Sequence, residues 1–290
     1  MSREDTVERL RSGRAFADLS GWRKVAVSGS DASQWLDDLV TADLSELAPG
    51  RARHALFLSP TGGVRAAFTV AVTDDGFVLI QDPGQPGPIQ RLLQPYVLSS
   101  DVALEDRSDQ LALLAFPGRN EAPDVLVGQV APSAPSCLGA GVDVMAPASE
   151  RDVLVRELKG RFAWAGDEDV EAWRIAERLP RFGVDALEGD LPQEAGLSSA
   201  VSRGKGCFPG QEAVAKVDIL GHPRRVVLAF EADGPVPAGD AVMRDGSRVG
   251  SVTSSMNAEE RTLLLARIEW DARGAELRTG SGIDLRRRSA

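Results

Sequence analysis

The stretch GKGCFPGQEAVAKV, residues 204–217, sets Cys207 among Gly204, Gly206 and Gly210, a lysine, an aromatic ring and a Gln-Glu pair. Glycines at those positions predict a backbone that visits positive φ and comes close to a ligand or to another segment. Gln211 and Glu212 open a segment able to form a helix. A helix N-terminus stabilises negative charge, a thiolate included. Lys205, two residues before the sulfur, adds positive charge. A thiol so placed suits nucleophilic or metal-binding chemistry. A small apolar residue held in a tight turn is the other reading these residues leave open. Phe208 bears on the choice, because burial beneath its ring would favour the neutral thiol.

The elements that must position this loop are legible from periodicity and turn residues. WRKVAVSGS predicts a strand ending at Gly29, and DASQWLDDLVTADLSEL a helix capped by Asp31 with Trp35, Leu36, Leu39 and Val40 on one face. Residues 49–82 predict strands joined at Gly62-Gly63 and at Asp74-Asp75-Gly76. GPIQRLL predicts a short helix, LALLAF and GVDVMAP strands, and the Pro- and Gly-rich residues 117–141 a loop. Two further helices are expected, one capped by Ser149 and one over 167–180 stopped by Pro180. Strands and helices interleaved with hairpins indicate α+β lobes. From residue 222 the texture changes to short strands broken at Pro235, Pro237, Gly239 and Asp245-Gly246, which predicts a small antiparallel β-barrel over 222–290.

Composition narrows the function classes. Forty-three acidic against 33 basic residues give a net charge of −10, which disfavours broad nucleic-acid binding. The charged segment MSREDTVERLRSGRAF lacks an apolar core for a secretory signal, and no apolar run approaches the ~18 residues that span a bilayer. A cytoplasmic protein with no membrane contact is expected. Cys137 and Cys207 stand far apart and in dissimilar contexts, so both are expected to be free. With His54 and His222 they make a poor zinc site, and no resident metal is expected. The five tryptophans read as packing residues.

KGCFPGQE, residues 205–212, resembles the signature of the YgfZ-type folate-binding proteins, Lys-Gly-Cys-Tyr/Phe-x-Gly-Gln-Glu. AWRIAERLPRFGVD (172–185), LPQEAGL (191–197) and GHPRRVVL (221–228) are similar to that family's other segments, in the same order. Residues 16–64 resemble the start of the superfamily shared with the glycine-cleavage T-protein (aminomethyltransferase). The resemblance implies a T-protein-like ring of two α+β, ferredoxin-like lobes and the C-terminal barrel around a folate pocket. Residues 1–218 would form the folate-binding region, one lobe from about 1–50 with 150–218 and the other from about 51–149. It implies tetrahydrofolate or a one-carbon derivative as cofactor, and a role in iron–sulfur cluster assembly or repair that indirectly supports tRNA modification. Iron–sulfur assembly proteins or client enzymes are the implied partners, without direct nucleic-acid contact. Carried onto this chain, the functional thiol is Cys207. The folate side falls to Lys205, Gly206, Phe208, Gly210, Gln211, Glu212, Arg174, Glu194 and Arg224.

The departures from the T-protein pattern are chemical. Its acidic pair after the Gly-Gly turn is replaced by Ala66 and Ala67. A carboxylate there can steady positive charge or move a proton, and alanine does neither. Glycine cleavage is therefore not expected. Arg-Leu-Glu-Ala-Gly becomes Arg174-Ile175-Ala176-Glu177-Arg178, and Ala42 stands where Thr-Asn-Asp has its asparagine, between Thr41 and Asp43. Arg174 can meet the folate glutamate tail or form an internal ion pair. Glu194 can accept from the pterin's donor edge or lie solvated. Arg224 and Arg225 can close over folate carboxylates or face water. A cluster-assembly factor, a folate-dependent one-carbon transferase with another acceptor, and a protein-binding scaffold all remain open at this level.

Overall fold

Burial of alternating and helical apolar positions builds two sheets and a barrel in the computed structural model, which describes residues 3–126, 131–258 and 261–288. In chain order the elements are α1 (Arg3–Arg11), β1 (Ala15–Asp18), β2 (Arg23–Ser28), α2 (Ala32–Leu39), β3 (Ala52–Leu58), β4 (Val64–Thr73), β5 (Gly76–Gln81), α3 (Ile89–Leu93), β6 (Ala103–Asp106), β7 (Leu111–Pro117), β8 (Ala131–Ser133), β9 (Gly141–Pro147), α4 (Arg151–Lys159), β10 (Ala163–Ala165), α5 (Asp167–Ala176), α6 (Gln211–Leu220), β11 (Arg225–Ala232), β12 (Ala241–Arg244), β13 (Ser247–Ala258), β14 (Arg261–Glu269), β15 (Leu277–Thr279) and β16 (Asp284–Arg287). The chain divides into two units. One comprises Met1–Leu58, Ala66–Val170 and Ser199–Pro209, the other Ser59–Arg65, Glu171–Ser198 and Gly210–Ala290.

The first unit holds two five-stranded sheets, ordered β10-β1-β7-β9-β8 and β3-β4-β5-β2-β6. In the second of these, α2 lays Trp35, Leu36 and Leu39 into a core with Phe57, Val70 and Leu79. The Trp35 indole N–H is not wasted there, since it donates to Tyr96 O at 2.8 Å. In the other sheet Phe16, Leu114, Phe116 and Val144 pack with Leu154 and Leu158 of α4. Strand β2 pairs with β5 and β6, so the pairing runs across the boundary expected near residue 50.

Local chemistry differs from the sequence reading at several ends. Asp31 stands at the α2 N-terminus without capping it; its carboxylate instead accepts from Asp101 N at 2.8 Å. Ser149 lies inside a 3-10 turn and Glu150 takes the cap position of α4, with no side-chain cap bond. The segment 117–141 is not all loop, because it contains β8, which pairs with β9 just beyond it. Helix α1 and strand β1 stand outside the elements that the periodicity predicts. Pro180 does not stop α5. Arg178 takes φ of 60°, and Arg178 N and Leu179 N bond back to Ile175 O and Arg174 O, the Schellman arrangement that ends a helix.

In the second unit the six strands close in the order β11-β14-β13-β12-β15-β16, with β16 returning to β11. Closure removes free sheet edges. Its interior is filled by Phe230, Val242, Leu264, Ala266 and Ile268. A register shift between Val252 and Ser254 breaks the alternation of β13, and the hydroxyls of Thr253 and Ser254 both reach Asp185. No helix among the described residues is long and apolar enough to cross a membrane.

Candidate functional site

The loop before Cys207 is fastened to the chain that follows α2. Thr41 Oγ1 donates to Ala200 O at 2.7 Å and accepts from Leu56 N at 2.9 Å. Ser202 N donates to Thr41 O, and Asp43 N donates to Ser202 Oγ at 3.0 Å. The Lys205 ammonium donates to Val40 O at 2.8 Å, to Ala42 O at 2.9 Å and to Asp37 O. Asp37 Oδ1, at 3.3 Å, is its counter-charge, and the lysine side chain is 1% exposed. A helix end leaves carbonyls without intrahelical donors, and Lys205 supplies three N–H groups to carbonyls at and just beyond the α2 end. The Lys205 donors are therefore spent on these internal partners. Its nitrogen also lies 5.8 Å from the centroid of the Phe208 ring.

Cys207 is exposed and Phe208 is buried, so the ring does not seal the sulfur. Helix α6 begins only at Gln211, four residues on, with Gly210 at the cap position. The thiol is thus not in the first turn of a helix. Among the loop glycines only Gly210 takes positive φ, +81°. A Cβ there would stand 2.5 Å from Ser59 O and 2.7 Å from Gly62 Cα, whereas Gly204 and Gly206 have open space. Gly63 in turn approaches Gly189, and Gly189 N bonds to Val64 O. The motif glycine and the Gly62-Gly63 turn therefore need each other as bare backbone.

Gly204 and Lys205 line an open cleft of about 440 Å³ with Asp43, Glu46, Leu47, Arg53, Ser199 and Ser202. Hydrogen bonds from the Ser45 hydroxyl and amide hold the Asp43 carboxyl below the usual range. Ala66 is fully buried. Ala67 is pinned through its backbone, its N–H donating to Gln85 Oε1 at 3.1 Å and its carbonyl accepting from Gln85 Nε2 at 2.6 Å.

In the second unit Arg174 donates to Asp185 Oδ2 at 2.7 Å, to Ser254 Oγ at 2.6 Å and to both Glu171 oxygens. The internal ion pair is the arrangement adopted, and Asp185 is fully buried with Arg181 N as a further donor. Glu194 receives Leu191 N on one oxygen and Arg224 N on the other, each at 3.2 Å. Each carboxylate oxygen keeps a second lone pair for an outside donor. The Arg224 and Arg225 side chains are exposed and carry no hydrogen bond or ion pair among the described residues. Gln211 is half-buried, and Glu212 lies exposed in the first turn of α6. Of the residues assigned to a folate, Lys205 and Arg174 are engaged internally, while Glu194 and Arg224 retain free capacity.

A second polar cluster gave no sign in the sequence. Asp143 is fully buried and accepts from Ser136 Oγ and, at 2.7 Å, from Cys137 N. Burial pushes its carboxyl up to about 6. Burial, and then the Asp143 charge, push the Cys137 thiol well up. Lys24, also fully buried, donates to Ser20 O and Trp22 O and is lowered by burial to about 8. No group of three or more His, Cys, Asp or Glu residues able to hold a metal occurs among the described residues.

Residues 2–131 match the profile of the GCVT N-terminal domain. A chloroplastic protein of Arabidopsis thaliana with a provisional transferase name is 24% identical over 275 residues, covering 87% of this chain and 64% of that protein. An aminomethyltransferase of Thermotoga petrophila is 26% identical over 281 residues, covering 86% of this chain and 76% of the other. The solved glycine cleavage system aminomethyltransferase T from Bartonella henselae superposes with a TM-score of 0.85 at 20% identity, over 99% of this chain and 88% of its own. The chain thus carries the GCVT match over residues 2–131 and has the T-protein fold: mixed α+β sheets with a closed C-terminal barrel.

Proposed function

We propose that the chain is a tetrahydrofolate-binding accessory factor for the assembly or repair of iron–sulfur clusters, with Cys207 as its functional thiol. The observation that carries this reading is the display of Cys207, exposed on a loop fastened at Thr41, Ser202 and Lys205. Buried Ala66 and backbone-pinned Ala67 support it from the other side, because the carboxylate chemistry of an aminomethyl transfer has no acid there. Glu194, which keeps spare lone pairs, would accept from the donor edge of a pterin, and the Arg224 guanidinium, without a partner among the described residues, would meet folate carboxylates. Tetrahydrofolate, when bound, supplies a carrier for one-carbon units. The factor would work in the cytoplasm on assembly proteins or client enzymes, with tRNA modification supported indirectly.

The test is calorimetry with tetrahydrofolate on wild type, Cys207→Ser and Glu194→Gln, together with the activity of a cluster-dependent enzyme in cells carrying each form. Cys207→Ser is expected to abolish enzyme support while folate affinity stays within about twofold. Glu194→Gln is expected to weaken folate by about tenfold. No folate binding by wild type, or full support by Cys207→Ser, would defeat the reading. The names of the relatives favour a second one, a folate-dependent one-carbon transferase with another acceptor. Turnover in a one-carbon transfer assay would put it first.

A further inference from the structure

We infer that Lys205 is a positioning residue for Cys207, one that sets where the thiol is held and contributes no charge to it; this rests on the reading of Cys207 as the functional thiol. A buried ammonium needs acceptors for its hydrogens and a counter-charge, or burial is prohibitive. Lys205 has both from one short stretch, the carbonyls of Asp37, Val40 and Ala42 and the Asp37 carboxylate. Nothing of its hydrogen-bonding capacity is left for a ligand or for the sulfur. What the bonds accomplish is mechanical. They are the last of a series that begins with Thr41 to Ala200 and continues with Ser202 to Thr41 and to Asp43.

The residues after the clamp complete the device. Gly206 has no atom within 4 Å of where a side chain would begin, so the chain is free at that point. Phe208 is buried again. Cys207 is therefore an exposed thiol between two buried anchors, two residues after one and one residue before the other. A thiol held in this way is presented to a group arriving from solvent, with little loop entropy left to lose.

The test uses the full chain as wild type, Lys205→Met and Ser202→Ala. It measures amide hydrogen exchange over residues 200–206, alkylation of Cys207 by neutral iodoacetamide and by anionic iodoacetate, and support of a cluster-dependent enzyme. Exchange in Lys205→Met should quicken by about tenfold or more. The two alkylation rates should change together, with their ratio constant within about twofold, and enzyme support should fall by about tenfold. Ser202→Ala should show the same pattern at smaller amplitude, and it carries the test alone should Lys205→Met fail to fold. A drop of about fivefold or more in the iodoacetate-to-iodoacetamide ratio would mean that the lysine charge reaches the sulfur, overturning the assignment. Unchanged exchange and alkylation would overturn it as well. If Cys207→Ser keeps full enzyme support while the exchange result holds, the proposed function fails and the clamp remains a feature of the fold alone.

Discussion

Replacing Gly210 by alanine should destabilise the protein, and replacing Gly206, four residues earlier in the same motif, should not. Gly210 has φ of +81°, a region where an added Cβ costs about 1 kcal/mol. That Cβ would also stand 2.5 Å from Ser59 O, 2.7 Å from Gly62 Cα and 2.8 Å from Gly62 N. All three are backbone atoms of a tight turn and cannot swing aside. Overpacking of this kind costs about 1–3 kcal/mol, so the total for Gly210→Ala is about 2–4 kcal/mol. At Gly206 no atom lies within 4 Å and φ is not in the left-handed region, so the change should stay within about 0.5 kcal/mol. Urea unfolding of wild type and the two variants measures both numbers, with the slope as a check that the same surface is exposed. A cost below about 1 kcal/mol for Gly210→Ala would refute the close approach of residue 210 to the 59–62 turn. Equal costs for the two variants would refute the division of labour between the glycines.

Burial raises Asp143 from 3.8 to about 6, so its contribution to stability is fully present below about 4 and is lost as pH rises through about 6. From pH 7 to pH 5 wild type should gain about 1 kcal/mol relative to Asp143→Asn in urea unfolding, and parallel curves would refute this. At pH 7.5 iodoacetamide should label Cys207 in the native protein and leave Cys137 until the chain unfolds, by mass spectrometry of the peptides, since Cys207 is exposed whereas Cys137 is half-buried with its thiol pushed well up by burial. Arg174→Met should cost about 3 kcal/mol, because it strands the buried Asp185 carboxylate, and should leave folate affinity unchanged; lost affinity at full stability would return Arg174 to the ligand.

Features whose cause is local were legible. The Gly62-Gly63 and Asp74-Asp75-Gly76 turns, the Trp35 face of α2 and the short strands after residue 222 each follow from a few neighbouring residues. The positive φ and close approach expected alike at Gly204, Gly206 and Gly210 occur only at Gly210, because its partner turn lies about 150 residues earlier. What escaped was settled by distant partners. Lys205 reads as a charge beside a thiol until Val40 and Ala42, more than 160 residues away, take its hydrogens. Gln85, which pins Ala67, has no motif at all. Asp31 and Ser149 carry the right chemistry for caps, but an alternative partner and a 3-10 turn respectively pre-empt the role.

The two long cations in the recognisable segments, Lys205 and Arg174, would be natural choices for a carboxylate-bearing ligand if judged by type alone. Each is buried, and burial decides the matter. An ammonium or guanidinium kept from water must find internal acceptors, and one that has found them costs more to redirect than an exposed side chain does. The Arg224 guanidinium, which has no internal partner among the described residues, carries no such cost. The same criterion applies to the thiols: Cys137 is tied to a buried carboxylate, and Cys207 is exposed. Within its own unit Glu194 keeps spare lone pairs and the Arg224 guanidinium has no partner among the described residues, while in the other unit Cys207 is exposed.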